Sequence, residues 1–210
     1  MKLYQSNASP NSRRVRIYLA ERDISMTVVP VDLGAREQFS EAYATINPRR
    51  VVPALVLDDG STIGEVPAII RYLEETYPHR PLLGTTAKEK AVITMWERRM
   101  EHEGFSAVME TVRNGAAALK GRAIAGPHGY DQIHELVERG RRRFADFYDD
   151  LETRLVEVPF VAGDQFSVAD ITAMVAIDFA KKALSLGIPS KNAGSRRWYD
   201  SVSSRPSADP

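Results

Sequence analysis

Val51-Val52-Pro53-Ala54-Leu55-Val56-Leu57-Asp58-Asp59-Gly60-Ser61-Thr62-Ile63-Gly64-Glu65-Val66-Pro67 holds the pattern that decides the first half of the chain. Ala54 to Leu57 is a short apolar run, read as a strand. Asp58-Asp59-Gly60 is a hairpin turn, and Ser61 to Gly64 is the returning strand. Pro67 then suits the first turn of a helix carrying Ile69, Ile70, Leu73 and Tyr77, which stops before Pro78. Pro53 cannot donate to a sheet ladder, so it belongs in a turn or at a strand start. A cis Val52-Pro53 bond would bend the chain sharply and present the peptide groups of Val52 to an extended ligand; trans is the commoner form.

N-terminal to this stretch, strand and helix signals alternate. Lys2 to Ser6 reads as a strand. Ser9 suits an N-cap and Pro10 the first helical position, ahead of an apolar face of Val15, Ile17, Tyr18 and Leu19. Ser25 to Asp32 is rich in β-branched residues, and Pro30 inside it points to an edge strand. Phe39, Ala42, Tyr43 and Ile46 mark a short helix ending before Asn47-Pro48. The order βαβα followed by ββα implies a parallel pair joined by a crossover helix, then an antiparallel hairpin covered by a helix.

C-terminal to it, the strand signals stop. Residues 78–86 (PHRPLLGTT) are rich in proline and polar groups. Helical periodicity then runs over 87–119, 130–156, 168–186 and 193–203. An α/β unit at 1–80, a linker at 81–86 and an all-helical domain at 87–210 are expected.

Composition narrows the function. Lys plus Arg and Asp plus Glu are 28 each, so the formal net charge is zero, without the basic surplus usual in nucleic-acid binders. No cysteine is present, which excludes disulfides, thiolate metal sites and Cys-x-x-Cys chemistry. No apolar run approaches 18 residues and the N-terminus has no signal-like apolar segment, so a cytoplasmic protein without membrane spans is expected. His79, His102, His128 and His134 lack metal-ligand spacing. His102, among Glu101 and Glu103, and the basic run Arg139 to Arg143 read as solvated helix faces.

Three turns carry candidate chemistry. Ser9-Pro10-Asn11-Ser12 lies at a helix N-terminus, where free N–H groups and partial positive charge favour an anion. Ser9 there is either an N-cap or a donor that stabilises a thiolate. Glu65 opens the helix after Gly64, as helix-dipole compensation or as a carboxylate for a ligand ammonium. Ser167 and Asp170 make an S-x-x-D capping box before an apolar helix, with Phe166 and Ile171 as its hydrophobic staple, a structural feature.

In this order and spacing, Asn47-Pro48, Val52-Pro53-Ala54-Leu55, Gly64-Glu65 with Ala68-Ile69, and Phe166-Ser167-x-x-Asp170 resemble the soluble glutathione transferases over nearly the whole chain. The Ser9 to Ile17 segment is similar to the serine-type theta, zeta and related bacterial classes. The resemblance implies a thioredoxin-like first domain with a cis Pro53. It implies Ser9 as the catalytic serine, with Asn11 and Ser12 as alternatives. It further implies Gln38, Val52, Pro53, Glu65 and Val66 as the glutathione contacts. Met100, Phe105 and Met109 would line the pocket for a small hydrophobic electrophile. Glutathione would be a co-substrate, with no metal and no tightly bound cofactor, and the protein a homodimer. Two departures stand out: Val66 replaces a serine that binds the γ-glutamyl carboxylate, and Val51 replaces a basic residue, with Arg13 or Arg50 as electrostatic substitutes. A non-catalytic glutathione-binding module, or a glutathione-dependent isomerase, dehalogenase or peroxidase, stays open beside the transferase.

Overall fold

Why the first half forms a mixed sheet is clear from its short apolar strands. The computed structural model describes residues 1–209. Strands β1 (Lys2–Gln5), β2 (Thr27–Pro30), β3 (Ala54–Val56) and β4 (Thr62–Gly64) lie in the order β2-β1-β3-β4. β1 pairs parallel with β2 and antiparallel with β3; β3 pairs antiparallel with β4. β2 is therefore an edge strand, as Pro30 requires. The parallel pair needs a crossover, supplied by α1 (Pro10–Glu21). The hairpin closes where expected, with Gly60 at φ +86° and Leu57 N–H donating to Ser61 C=O at 2.8 Å. α2 (Glu41–Ile46) and α3 (Val66–Thr76) complete this layer.

The core of this unit comes from α1, β1, β3 and α3. Leu3, Val15, Ile17, Tyr18, Leu55, Ile69 and Leu73 are fully buried. Each apolar side chain so enclosed contributes roughly 1.5–3 kcal/mol. One polar network sits inside it. The Tyr18 hydroxyl donates to Glu74 Oε2 at 2.6 Å, and Arg22 Nη1 donates to the Tyr18 oxygen at 2.6 Å. The same guanidinium pairs with Glu74 and bonds the Tyr77 carbonyl. This joins the end of α1 to the end of α3 by a buried ion pair, in which Arg22 Nε alone is enclosed without a hydrogen-bond partner.

The rest is helical: α4 (Ala87–Arg99), a π-helical turn (Met100–Phe105), α5 (Ser106–Gly115), α6 (His134–Leu155), α7 (Val168–Leu184) and α8 (Ala193–Ser203). The chain divides into two compact units. One is Met1–Pro81 and Ile124–Gly129 with Asp209; the other is Leu82–Ala123 and Tyr130–Ala208. In the second unit α7 is central, with Val168–Ile177 buried throughout. Leu82 is itself buried there, and its carbonyl accepts from Val168 N–H.

Two helical expectations need correction. The single helix over 87–119 is interrupted. Its middle widens into the π-turn at Gly104, where an added Cβ would lie 2.8 Å from the Phe147 ring. Close approach of that ring on α6 explains why a glycine stands there. Residues 130–133 are extended rather than helical. Tyr130 bridges Arg122, and Ile133 N–H donates to Asn114 Oδ1 at 2.9 Å. This side chain of α5 captures the N–H that a helix beginning at Tyr130 would have used internally.

Asp170 performs the structural role its spacing implied. Its carboxylate accepts from Ser167 N–H (2.9 Å) and Ser167 Oγ (3.2 Å), and also from Val161 N–H (2.9 Å) and Trp198 Nε1 (2.8 Å). Burial raises its pKa to about 6, with all four donors pulling the other way. The Arg139 to Arg143 run is not simply solvated: Arg139 and Arg143 both hold Glu110 on α5, at 2.9 and 3.0 Å.

Candidate functional site

The N-terminus of α1 is built by hydroxyls. Ser9 takes β-region dihedrals as N-cap, and its Oγ accepts from Ser12 N–H at 3.2 Å. Oxygen lone pairs are used in that contact, and the hydroxyl proton makes no hydrogen bond among the described residues. Ser12 is fully buried, with its Oγ accepting from Ser6 N–H at 3.3 Å. Asn11 is half-buried and its Oδ1 accepts from Arg14 Nη1 at 3.2 Å. The three candidates thus differ. Ser12 is enclosed as a brace for β1, Asn11 orients Arg14, and Ser9 keeps a donor at the helix end.

The Val52-Pro53 peptide is cis. The β1/β3 ladder ends at the Tyr4–Ala54 pair, two residues short of Val52. What holds this corner is upstream: the Tyr43 hydroxyl (2.7 Å) and Asn47 Nδ2 (2.8 Å) both donate to the Val51 carbonyl. Tyr43 and Val52 share a small core with Val31, flanked by Tyr4, Leu33 and Ile46. Burial pushes the Tyr43 hydroxyl up to about 12, so it stays a donor at every physiological pH. Nothing in residue type alone marked Tyr43 for this role. The available signal was its spacing, four residues before Asn47 at the end of α2, which puts both on one helical face.

Glu65 sits at φ +63°, ψ 126°, a conformation costly for a residue with a Cβ. Its side chain is exposed and caps nothing. The helix-dipole reading therefore lacks a direct cap contact, and a strained, exposed acid at the head of α3 remains. Val66 follows with its side chain buried at 4% exposure. Gln38 lies in a short 3₁₀ turn (Glu37–Phe39), half-buried, with Oε1 enclosed and unpartnered. A buried amide oxygen without a partner is uncommon and points to a missing donor. Arg50, one of the two possible substitutes for a basic residue at position 51, is already engaged: it donates to the Phe39 carbonyl at 2.8 Å and pairs with Glu41 at 3.1 Å.

Of the three electrophile-side candidates, Met100 and Phe105 are enclosed in the helical unit, at 2% and 4% exposure. The Phe105 ring packs against Phe179 at 6.1 Å. Met109 is half-exposed on α5. His102 is exposed and contacts Arg98. Among the described residues no His, Asp and Glu cluster could hold a metal ion, and no helix is long and apolar enough to cross a membrane.

Comparison with known proteins agrees with this architecture. Residues 3–81 match the family model for the glutathione S-transferase N-terminal domain, and residues 135–201 that for the C-terminal domain. Glutathione S-transferase 2 of Saccharomyces cerevisiae is 33% identical over 99% of this chain and 87% of its own length. Maleylacetoacetate isomerase of Rattus norvegicus is 31% identical over 80% of this chain and 73% of its own. Among solved structures, Gtt2 from Saccharomyces cerevisiae superposes with a TM-score of 0.89 at 33% identity, over 99% of this chain and 98% of that one. A glutathione S-transferase domain-containing protein from Marinobacter aquaeolei reaches 0.90, also at 33% identity, over 99% and 100%. With the mixed sheet, the cis Val52-Pro53 corner and the helical unit all in place, the chain belongs to the glutathione S-transferase family.

Proposed function

We propose that this chain is a glutathione transferase, joining the glutathione sulfur to a small electrophile, with Ser9 as the thiolate-stabilising residue. The observation that carries the assignment to Ser9 is its hydroxyl: the oxygen accepts from Ser12 N–H at 3.2 Å while its proton stays uncommitted at the head of α1. A donor there, together with the helix N-terminus, favours the thiolate over the thiol. The thiol proton leaves to solvent. The sulfur lone pair then forms the carbon–sulfur bond as the electrophile's leaving group departs or its double bond opens.

The peptide groups of Val52 would pair with the cysteinyl segment of glutathione, beside Pro53, as an added strand does. Glu65 would take the γ-glutamyl ammonium, the Val66 N–H its carboxylate, and Gln38 the glycine end. The strained, exposed Glu65 supports its position. Met109 would meet the electrophile, with Met100 and Phe105 behind it. No tightly held cofactor enters this reading. Residues 1–80 would form the glutathione-binding domain, 81–86 the linker and 87–210 the electrophile side. By family resemblance the protein would act as a cytoplasmic homodimer through α3 and α4, which sedimentation at micromolar concentration tests.

The decisive measurement is conjugation of glutathione to a neutral aromatic electrophile. Ser9→Ala should lower kcat/KM about 100-fold, as loss of one charge-stabilising donor does, and raise the apparent pKa of bound thiol. A wild type that binds glutathione without conjugating any electrophile removes the transferase reading. Full activity in Ser9→Ala moves the site to Asn11 or Ser12. The relatives named maleylacetoacetate isomerase favour a second reading, a glutathione-dependent isomerase, in which the thiolate adds to a double bond and later leaves. Product analysis separates the two: the isomerase returns free glutathione.

A further inference from the structure

The turn that delivers Ser9 is held from a distance. Ser6 to Ser9 is a tight turn, closed by Ser9 N–H donating to the Ser6 carbonyl at 3.1 Å. The Ser6 N–H is in use as well, donating to Ser12 Oγ at 3.3 Å. The end of β1 and the head of α1 therefore meet through one residue. A second tie comes from Arg16, two turns further along α1. Its Nη1 donates to Gln5 Oε1 at 2.6 Å and to the Ser6 carbonyl at 3.4 Å. The first contact is short and charge-assisted and the second is long, so the guanidinium is anchored mainly on Gln5.

That anchor sets more than itself. Arginine carries donors only, so the Gln5 oxygen must face it. Gln5 Nε2 is left to donate to Asn7 Oδ1 at 3.1 Å, inside the turn. Gln5 and Ser6 are buried, at 5% and 7% exposure, whereas Asn7 is exposed. A buried amide locked on one side fixes its partner on the other. The arrangement has a cost, because Arg16 Nε is enclosed with no hydrogen-bond partner. An apolar side chain would pack at this half-buried position without orphaning a donor. Packing alone therefore does not explain the arginine. Of the charged groups around it, Arg13 repels the guanidinium and Asp209 attracts it.

We infer that Arg16 is a positioning residue for the transferase reaction: through Gln5 and the Ser6 carbonyl it holds the Ser6–Ser9 turn, and with it the Ser9 hydroxyl, in place for the thiolate. It acts through the turn and not on the sulfur. This deepens the proposed function and rests on its assignment of Ser9. The planar fork of arginine suits the task, since one nitrogen serves two acceptors on neighbouring residues while the stem stays on α1.

The test compares two backgrounds. Conjugation of glutathione to a neutral aromatic electrophile is measured for Arg16→Met in wild type and in Ser9→Ala. In wild type kcat/KM should fall about tenfold, through kcat and with the KM for glutathione unchanged, because a displaced donor costs turnover and not binding. In Ser9→Ala no hydroxyl is left to displace, and the further loss should stay below about twofold. Arg16→Lys keeps the charge without the planar fork and should lose about threefold in wild type. It decides the matter should Arg16→Met not fold. Asp209→Asn leaves the Gln5 and Ser6 bonds in place and should change neither kcat nor KM. A loss there matching that of Arg16→Met makes charge the cause and overturns the proposal. Amide exchange followed by NMR gives a readout apart from turnover. Ser9 N–H should exchange about tenfold faster in Arg16→Met, while Leu57 N–H in the hairpin keeps its wild-type rate. Equal losses in both backgrounds, a loss confined to KM, no loss in either Arg16 variant, or unchanged Ser9 exchange overturns the proposal. If Ser9→Ala keeps full activity, the Ser9 assignment fails by itself, and the exchange rate then decides whether Arg16 holds the turn.

Discussion

Glu65, proposed above to take the γ-glutamyl ammonium, is held in a strained conformation. Its φ of +63° suits glycine, and a side chain there costs about 1–3 kcal/mol. Glu65→Gly and Glu65→Ala should both weaken glutathione about tenfold in calorimetry. Glu65→Gly should nevertheless be the more stable of the two by about 1 kcal/mol in urea unfolding, since glycine alone escapes the strain. The corner at Val52 makes a second case. Tyr43→Phe removes one of two donors to the Val51 carbonyl. With Asn47 still bonded, the expected cost is about 1 kcal/mol of stability, and glutathione affinity should fall by more than the change in a remote control such as Tyr130→Phe.

At the scale of elements, helix ends and helix pairs set the margins. α4 opens with a capping box in which Thr86 Oγ1 accepts from Glu89 N–H at 3.1 Å, and Glu89 accepts from the Thr85 hydroxyl at 2.6 Å and from the Thr85 and Thr86 N–H groups. These bonds, the Thr85 hydroxyl foremost, lower the Glu89 pKa to about 2. The folded state therefore binds this proton less readily than the unfolded chain does. The contribution is whole above about pH 4.5 and is lost as the pH falls toward 2. Glu89→Gln should flatten the stability profile in that window and leave pH 7 to 9 parallel to wild type. The α1–α3 junction behaves differently. Glu74→Leu leaves the enclosed guanidinium of Arg22 without its carboxylate, at an expected cost of about 3–5 kcal/mol in denaturant unfolding. The double variant Arg22→Leu, Glu74→Leu should recover much of it.

For the molecule as a whole, each unit has its own core and its own polar anchor. In the helical unit that anchor is Asp170, which joins segments as distant in sequence as Val161 and Trp198. Asp170→Ala orphans several buried donors together, and a loss of about 3–5 kcal/mol is expected. Both tryptophans, Trp96 and Trp198, belong to this unit. Trp198 is buried, while Trp96 is contacted by the guanidinium groups of Arg99 and Arg154, each 4.6 Å from its ring centroid. A red shift of tryptophan emission at lower urea should therefore report the Asp170→Ala change directly.

Much of this design was legible in one dimension. The alternation of strand and helix up to Pro67, the edge position of β2, the caps at Ser9 and Ser167 and the start of α8 follow from local chemistry: proline without a donor, serine with an acceptor, glycine free at positive φ. Such rules act within a few residues, so a linear reading captures them. Family membership was legible too, because it rests on those same motifs in order. The π-turn at Gly104, the extended run at 130–133, the Tyr43–Asn47 support of the Val52 corner and the enclosure of Ser12, Met100 and Phe105 were decided by tertiary structure. Each depends on a partner tens of residues away or on burial.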